Sequence, residues 1–364
     1  MESYVYPIKT AFLTFPLYAF FLTIPFMLYQ YRKHRYINKL RILGFYSFVL
    51  YFITAYYLII LPLPKLSDMP LTHSADVRYY QIVPFSFVRD IIRESGIIFS
   101  KPETYLGVLT QRSFLQAFFN GILLFPLGVY LGYYFKKPFL KTVLLAFGVS
   151  LFFEITQLTG LYGIYKTPYR LFDVDDLFLN TLGGALGWII SPVFSYFLPD
   201  MRKIDENIDL KKMQVSFVRR SVAVGIDWFL IMLVTSVLGF SENFFFFVLT
   251  VFLYFIVLVY LTNGKTTGKS LVKIRVKGAK ARLSFEEVFK RYGLLYLFFF
   301  GIDYILSLMI KENNDPFISF FLIFCSLIYN LFLIINIFMH ALKKDKLLFY
   351  EKTSHTRNVI DDKK

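Results

Sequence analysis

A set of ionisable and amide side chains interrupts the apolar sequence in the first half of the chain. Its members are Asn120, Glu154, Gln157, Arg170, Asp173, Asp175, Asp176 and Asn180. Such groups are costly inside a membrane, which makes them candidates for ligand binding or proton transfer. Glu154, paired with Asp173 or Asp176, has the residue types of a general acid and its partner. A membrane hydrolase or transferase is therefore one possible reaction class.

Spacing places several of these groups on shared helix faces. Glu154 and Gln157 are three residues apart and Asp176 and Asn180 are four apart, so each pair lies on one side of its helix. With a rise of about 1.5 Å per residue, the three predicted helices carry these groups at similar depth. Arg170 is a candidate to neutralise a carboxylate, because an unpaired buried charge is costly. The pattern fits either a functional site or polar contacts that only hold helices together.

A second set, Arg220, Asp227 and Asp303, interrupts the apolar second half. Arg220 and Asp227 are seven residues apart, which is about two turns on one helix face, and Asp303 belongs to another helix. Two intramembrane aspartates and an arginine suit a proton or cation relay in a transporter. They equally suit an ion pair that fixes helix packing, and both interpretations stay open.

Composition determines the class of protein in which these residues must be positioned. Of 364 residues, 56% are hydrophobic, 20% are aromatic and only 18% are charged. Soluble domains carry about 25% charged residues. The single cysteine excludes an internal disulfide. These values exclude a soluble enzyme, a disordered chain and a disulfide-stapled domain, and they predict an all-α integral membrane protein.

Apolar stretches of about 20 residues predict nine transmembrane helices. The predicted spans are 11–31, 42–62, 113–135, 139–159, 176–198, 218–239, 243–262, 290–310 and 316–340. If the N-terminus is outside and the C-terminus is cytoplasmic, 30 of the 40 Lys and Arg residues face the cytoplasm. This excess predicts that orientation by the positive-inside rule.

Two polar segments lie between predicted spans. Residues 199–217 predict a cytoplasmic linker between two membrane domains, 1–198 with five helices and 218–364 with four. The amphipathic stretch 85–99 fits an interfacial helix on the outer leaflet or an ordinary ordered loop.

The first half resembles the VanZ-like family in its ordered motifs. They are VPF (83–85), NGILLFPLG (120–128), E-x-x-Q (154–157) and R-x-x-D-x-x-D-x-x-x-N-x-x-G-G (170–184). Members are membrane proteins of Gram-positive bacteria, and the founding member is associated with low-level teicoplanin resistance. The resemblance implies a multi-pass protein of the bacterial plasma membrane that contributes to glycopeptide or lipoglycopeptide resistance. The positions it implies as functional are Asn120, Pro126, Gly128, Glu154, Gln157, Arg170, Asp173, Asp176, Asn180 and Gly184.

The second half resembles the RDD family, named for its Arg and two Asp residues. The resemblance covers about 212–360 and rests on RRSVAVGIDW (219–228), on G-K-T-x-G-K and on Asp303. It implies that Arg220, Asp227 and Asp303 form the family motif. The usual ending, a His-Asp pair with a Thr five residues after the Asp, appears here as Tyr350-Glu351 with Thr356.

GKTTGKS (264–270) imitates a phosphate-binding loop, but Asn263 stands where that loop needs glycine. We therefore expect no nucleotide here, but a basic cytoplasmic hairpin against anionic headgroups. We also expect no cofactor, no metal and no nucleic acid. The expected partners are membrane lipid and either a lipid-linked envelope precursor or a lipoglycopeptide drug. Binding is favoured over catalysis, with a transporter as the alternative.

Overall fold

The computed structural model describes residues 2–68, 78–95, 106–201, 203–206, 208–210, 212–239, 244–342 and 347–361. The end of the stretch 85–99, from residue 96 onward, lies outside these residues. Within them, eight helices are long and apolar enough to cross a membrane. A further apolar helix, Phe245–Leu261, coincides with the predicted span 243–262. The prediction of an all-α membrane protein is confirmed, and its orientation stays a prediction.

The chain forms two compact units. One comprises Met1–Thr23 and Asn38–Asn207, and the other comprises Ile24–Ile37 and Ile208–Lys364. The second part of the first helix packs with the second unit because Met27 and Tyr31 share a buried core there with Val215, Ala223 and Ile274. Residues 24–37 thus belong to the second unit, whereas the predicted bounds, 1–198 and 218–364, place them in the first domain.

The first unit is a bundle of apolar helices with short connecting elements. Its helices are α1 (Glu2–His34, shared with the second unit), α2 (Lys39–Ile60), α3 (Ser86–Ser95), α4 (Arg112–Leu123), α5 (Phe125–Val129), α6 (Phe139–Leu158), α7 (Gly160–Gly163) and α8 (Val174–Phe197). A π-helical turn, Tyr130–Tyr134, continues α5. The strands β1 (Tyr80–Gln81) and β2 (Phe172–Asp173) pair in parallel and bring the connection before α3 beside the start of α8.

Glycines allow α8 to pack closely against α4 and α5. A Cβ atom on Gly128 would overlap the carbonyl oxygen of Gly184, and one on Gly183 would overlap that of Gly121. At Gly187 the overlap would be with the carbonyl oxygen of Phe125. Small residues permit such backbone contact between membrane helices. This packing fixes α8 at the centre of the first unit.

The predicted linker begins as part of the first unit. Tyr133 donates a hydrogen bond to the carbonyl oxygen of Pro199 at 2.7 Å. Arg41 forms a salt bridge with Asp205, and both residues belong to this unit. Pro199 and Asp205 are therefore held by side-chain contacts within the first unit.

The second unit combines apolar helices with a small antiparallel sheet. Its further helices are α9 (Phe217–Val237), α10 (Phe244–Thr250), α11 (Leu258–Leu261), α12 (Thr267–Leu271), α13 (Phe285–Tyr292), α14 (Gly301–Glu312), α15 (Pro316–Leu342) and α16 (Phe349–Thr353). π-Helical segments, Val251–Val257 and Gly293–Phe300, connect α10 to α11 and α13 to α14. The strand β3 (Ile274–Lys277) pairs with β4 (Arg357–Ile360).

This pairing corrects the expected basic hairpin. The loop 263–291 supplies only one strand, and the partner strand comes from the end of the chain. Ion pairs also hold the end of the chain against this loop, because Asp361 forms salt bridges with Lys265 at 2.5 Å and with Arg275 at 3.8 Å. Part of the predicted basic surface is therefore neutralised within the unit.

Candidate functional site

The start of α8 brings carboxylates together. Asp173 caps this helix, and its Oδ1 accepts a hydrogen bond from the backbone N–H of Asp175 at 2.8 Å. Asp175 and Asp176 occupy the first turn. Acidic groups are favoured at a helix N-terminus, where N–H groups lack partners and the helix dipole is positive. This is the local reason why a run of acidic residues is accommodated at this position.

Glu154 joins this group from α6. Its side chain is 1% exposed, and its Oε2 accepts a hydrogen bond from the backbone N–H of Asp173 at 3.0 Å. We call Glu154, Asp173 and Asp176 the carboxylate cluster. Asn120 of α4 donates a hydrogen bond to Oδ1 of Asp176. Three helices, α4, α6 and α8, thus contribute to one site.

A second polar contact lies one helical turn away from the cluster. Asn180 is fully buried, and its Nδ2 donates to Oγ of Ser150 at 3.0 Å. Ser150 in turn donates to the backbone carbonyl of Asp176 at 3.4 Å. Because Ser150 precedes Glu154 by four residues and Asn180 follows Asp176 by four, both lie directly beneath the cluster.

Two residues expected in the group are placed differently. Gln157 donates from Nε2 to the carbonyl oxygen of Ile59 at 2.9 Å, so it ties α6 to the end of α2. Arg170 is exposed and, among the described residues, makes no hydrogen bond or salt bridge. Its charge nevertheless acts on Glu154 and Asp176. The expected ion pair with a carboxylate is absent from the described part of the chain, and Arg170 lies at the edge of the cluster.

The cluster is electrostatically unbalanced. Burial raises the pKa of Asp173, and the neighbouring charges of Asp175 and Asp90 raise it further, against the hydrogen bond from Asp175. Burial likewise raises the pKa of the nearby Tyr169 to about 12. Both shifts disfavour additional negative charge. A cation that entered the cluster would relieve this repulsion.

Asp175, which the sequence places in the same run of polar groups as Asp173 and Asp176, has its own set of partners. Its carboxylate accepts hydrogen bonds from the backbone N–H groups of Phe85 at 2.6 Å and Phe87 at 3.0 Å, and from Oγ of Ser86 at 2.7 Å. It therefore caps α3 across the loop. The VPF motif (83–85) ends at Phe85, which contacts Asp175 through its backbone N–H and also packs on Phe178 with ring centroids 5.1 Å apart.

Two protein-family models match parts of the chain. The VanZ/LLP1 family model matches residues 48–195, which include every helix that contributes to the cluster. The RDD family model matches residues 214–352. The chain joins a VanZ-like domain to an RDD domain. No curated protein and no solved structure matches the chain.

In the RDD domain, Asp227 anchors the loop that imitates a phosphate-binding motif. Its side chain is fully buried and accepts hydrogen bonds from Tyr254 Oη at 2.7 Å, Thr266 Oγ1 at 2.6 Å and the backbone N–H of Gly268 at 2.6 Å. A Cβ atom on Gly268 would overlap the carbonyl oxygen of Ala223. The glycine of G-K-T-T-G-K-S is therefore required for packing against α9.

Arg220 takes part in a different network. It forms a salt bridge with Glu351 at 2.9 Å, and Arg291 forms another with the same carboxylate at 2.9 Å. Arg291 also donates to Thr356 Oγ1 at 2.7 Å, and Asn358 donates to Glu351 at 2.7 Å. The altered ending of the chain, in which Tyr350-Glu351 stands in place of the usual His-Asp pair, is thus joined to the family arginine.

In the described part of the chain, Asp303 contacts neither the partners of Asp227 nor those of Arg220. Its Oδ1 accepts hydrogen bonds from Ser326 Oγ at 3.1 Å and Asn330 Nδ2 at 2.7 Å, which tie α14 to α15. Within the described residues, Arg220, Asp227 and Asp303 form no ion pair with one another. Each of the three motif residues therefore has a different set of partners.

Sequence reasoning missed two buried arginines in this domain. Besides Arg291, Arg219 donates to the backbone carbonyls of Val272 at 2.8 Å, Lys273 at 2.9 Å and Arg35 at 2.7 Å, and it stacks on Tyr31 at 4.3 Å. The doubled Arg219-Arg220 was the available signal. No group of three or more His, Cys, Asp or Glu residues in the described part of the chain is arranged to hold a metal ion.

Proposed function

We propose that the VanZ-like domain lowers susceptibility to glycopeptide and lipoglycopeptide antibiotics of the teicoplanin type. The carboxylate cluster faces outward from a bacterial plasma membrane and alters how the drug, or a lipid-linked envelope precursor, interacts with the outer leaflet. One observation carries this proposal: Asn120, Glu154 and Asp176 converge from three helices beside the exposed Arg170. Charge-assisted hydrogen bonds make such a group suited to a polar headgroup.

The helix α3 supports a position at headgroup depth. It exposes the apolar side chains of Val88 and Ile92, and it also carries the exposed Arg89 and Arg93. An amphipathic helix of this kind lies in the membrane interface. Asp175 holds the start of α3 next to the cluster, so a lipid-anchored ligand reaches both features together.

Labelling of intact cells tests the orientation on which the proposal depends. After Cys325→Ser removes the native thiol, Arg170→Cys should react with a membrane-impermeant maleimide, and Arg275→Cys should react only after permeabilisation. The reverse pattern would place the cluster on the cytoplasmic side and refute the proposal.

Susceptibility assays test the site itself. With matched expression, Glu154→Gln should abolish protection against teicoplanin, whereas Asp227→Asn should leave it in place. Loss of protection with Asp227→Asn alone would favour the transporter alternative, in which the RDD aspartates act. Asp209→Asn, in the polar segment between the domains, is the matched control for a lost carboxylate.

Drug accumulation separates binding from chemistry. We expect cells that carry the protein to bind less fluorescent drug, with a larger effect for drugs that have a lipid tail. The drug recovered from the medium should keep its intact mass. Unchanged binding together with an altered drug mass would instead indicate a hydrolase or transferase built on Glu154.

A further inference from the structure

The carboxylates of the cluster have unused acceptor oxygens. Among the described residues, Glu154 accepts one hydrogen bond, at Oε2, and Asp173 accepts one, at Oδ1, both from backbone N–H groups. Asp176 accepts one at Oδ1 from the side chain of Asn120. The second oxygen of each carboxylate has no donor in the described part of the chain. A carboxylate has room for about four donors, so the site is short of N–H groups.

Asn180 adds an independent sign of the same shortage. It is 0% exposed, and its Oδ1 has no hydrogen-bond partner among the described residues, although its Nδ2 bonds to Ser150. Asn180 lies one helical turn from Asp176, and its partner Ser150 also contacts Asp176, so this open acceptor belongs to a residue next to the cluster. A buried polar atom without a partner is unfavourable, and a ligand that supplies donors removes that cost.

The side chains around the cluster do not supply these donors. Asn120 already bonds to Asp176, and Arg170 is exposed and turned to no acceptor among the described residues. A ligand that matches these acceptors carries a positive charge and several N–H groups in a small volume. A primary ammonium group has three such donors, a quaternary ammonium has none, and a guanidinium presents a wide planar fork.

We propose that the carboxylate cluster binds the primary ammonium group of an amphiphile. This inference rests on the proposed function, because it names the chemistry that the outward-facing site recognises. Glu154 and Asp176 accept the ammonium hydrogens from two sides, and the apolar part of the ligand lies along the exposed Val88 and Ile92 of α3. Arg170 remains free at the rim for a phosphate or carboxylate of the same molecule.

Binding of matched probes tests the inference. The purified full-length protein in phosphatidylcholine nanodiscs is titrated with dodecylammonium, with dodecyltrimethylammonium and with neutral N-dodecylacetamide. We expect the primary ammonium to bind about tenfold or more tightly than the quaternary ion, because only the former donates hydrogen bonds to the carboxylates. Equal affinity for the two cations would overturn the inference.

Variants assign the preference to the cluster. Glu154→Gln and Asp176→Asn should each reduce the preference for dodecylammonium to within about threefold of the quaternary ion. Glu286→Gln, which removes an exposed carboxylate of the RDD domain, should leave the preference intact. An unaltered preference in both cluster variants would refute the assignment. If one variant does not fold, the other and the wild-type comparison still decide the matter.

Two further arms separate the sources of the amine. Nanodiscs that contain phosphatidylethanolamine should compete with the probe if a lipid headgroup is the ligand, and teicoplanin with a free amine should compete more strongly than its N-acetylated form if the drug is. Competition by neither would refute a natural amine ligand. Lost protection in Glu154→Gln without any ammonium preference refutes this inference alone, whereas an ammonium preference without any protection refutes the proposed function alone.

Discussion

Two buried glutamates, one in each domain, have the same exposure and opposite surroundings. Glu154 and Glu351 are both 1% exposed. Glu351 accepts hydrogen bonds from Arg220, Arg291, Asn358 and the backbone N–H of Leu348. Glu154 accepts one, from a backbone N–H group. Burial alone therefore does not distinguish a structural carboxylate from one that is available to a ligand, whereas the number of donors does.

The difference also appears in the acid–base properties of groups outside the membrane spans. Burial acts to raise the pKa of Glu351, but the charges of Arg291 and Arg220 outweigh it and hold the pKa below its usual value of 4.5. In the carboxylate cluster the pKa of Asp173 is raised instead, because burial and neighbouring carboxylates outweigh the hydrogen bond that Asp173 accepts. The RDD network is compensated internally, and the VanZ-like cluster is not.

The largest effect is expected from breaking the compensated network. Glu351→Gln leaves the buried guanidinium of Arg291 and the partly buried one of Arg220 without their counter-charge. Removal of one partner from a buried ion pair costs about 3–5 kcal/mol. We expect a correspondingly large loss of stability in thermal unfolding of the purified protein. Glu286→Gln, at an exposed pair with Lys290, should unfold like the wild type. A Glu351→Gln variant as stable as the wild type would remove the basis of the comparison.

A smaller loss is expected where Asp227 holds the loop against α9. Gly268→Ala places a Cβ atom on the carbonyl oxygen of Ala223, and overpacking of this kind costs about 1–3 kcal/mol. Gly225→Ala on α9 is the matched control, since nothing lies within 4 Å of its added Cβ atom. Unfolding at the same temperature in both variants would show that the close approach at Gly268 does not matter.

Acidification should affect the two domains differently. Because the pKa of Glu351 is lowered on folding, its stabilising contribution is present above 4.5 and is lost as the pH falls through the folded value. Asp173 has a raised pKa, so its contribution is present below 3.8 and is lost as the pH rises. We expect the unfolding temperature to fall at acid pH in the wild type and to fall less in Glu351→Gln. Parallel pH profiles would contradict the role of Glu351.

The smallest effect on stability is expected at the cluster. Glu154→Gln keeps an oxygen that accepts the hydrogen bond from Asp173 and removes a charge that has no partner, so the change should stay within about 1 kcal/mol. Protection against teicoplanin should nevertheless be lost. A large fall in the unfolding temperature would instead assign Glu154 to helix packing, which is the alternative that the sequence left open.

The apolar stretches were sufficient to predict the membrane helices, because span length and hydrophobicity are local properties. The convergence of Asn120, Glu154 and Asp176 was only an expectation, since depth estimates do not show which helix faces meet. The contacts of Asp175 were not predicted, because Phe85 and Ser86 lie about 90 residues away in the chain.

The sequence by itself determined the class of protein, its two families and the identity of its intramembrane polar residues, because each depends on composition or on short ordered motifs. Only the tertiary structure decided the partner of each charge. Arg220 is paired with Glu351 across 131 residues, and the family aspartates Asp227 and Asp303 receive hydrogen bonds from different helices. The physical reason is that a carboxylate in a low-dielectric interior takes its properties from the donors that the fold brings to it, and those donors come from distant parts of the chain.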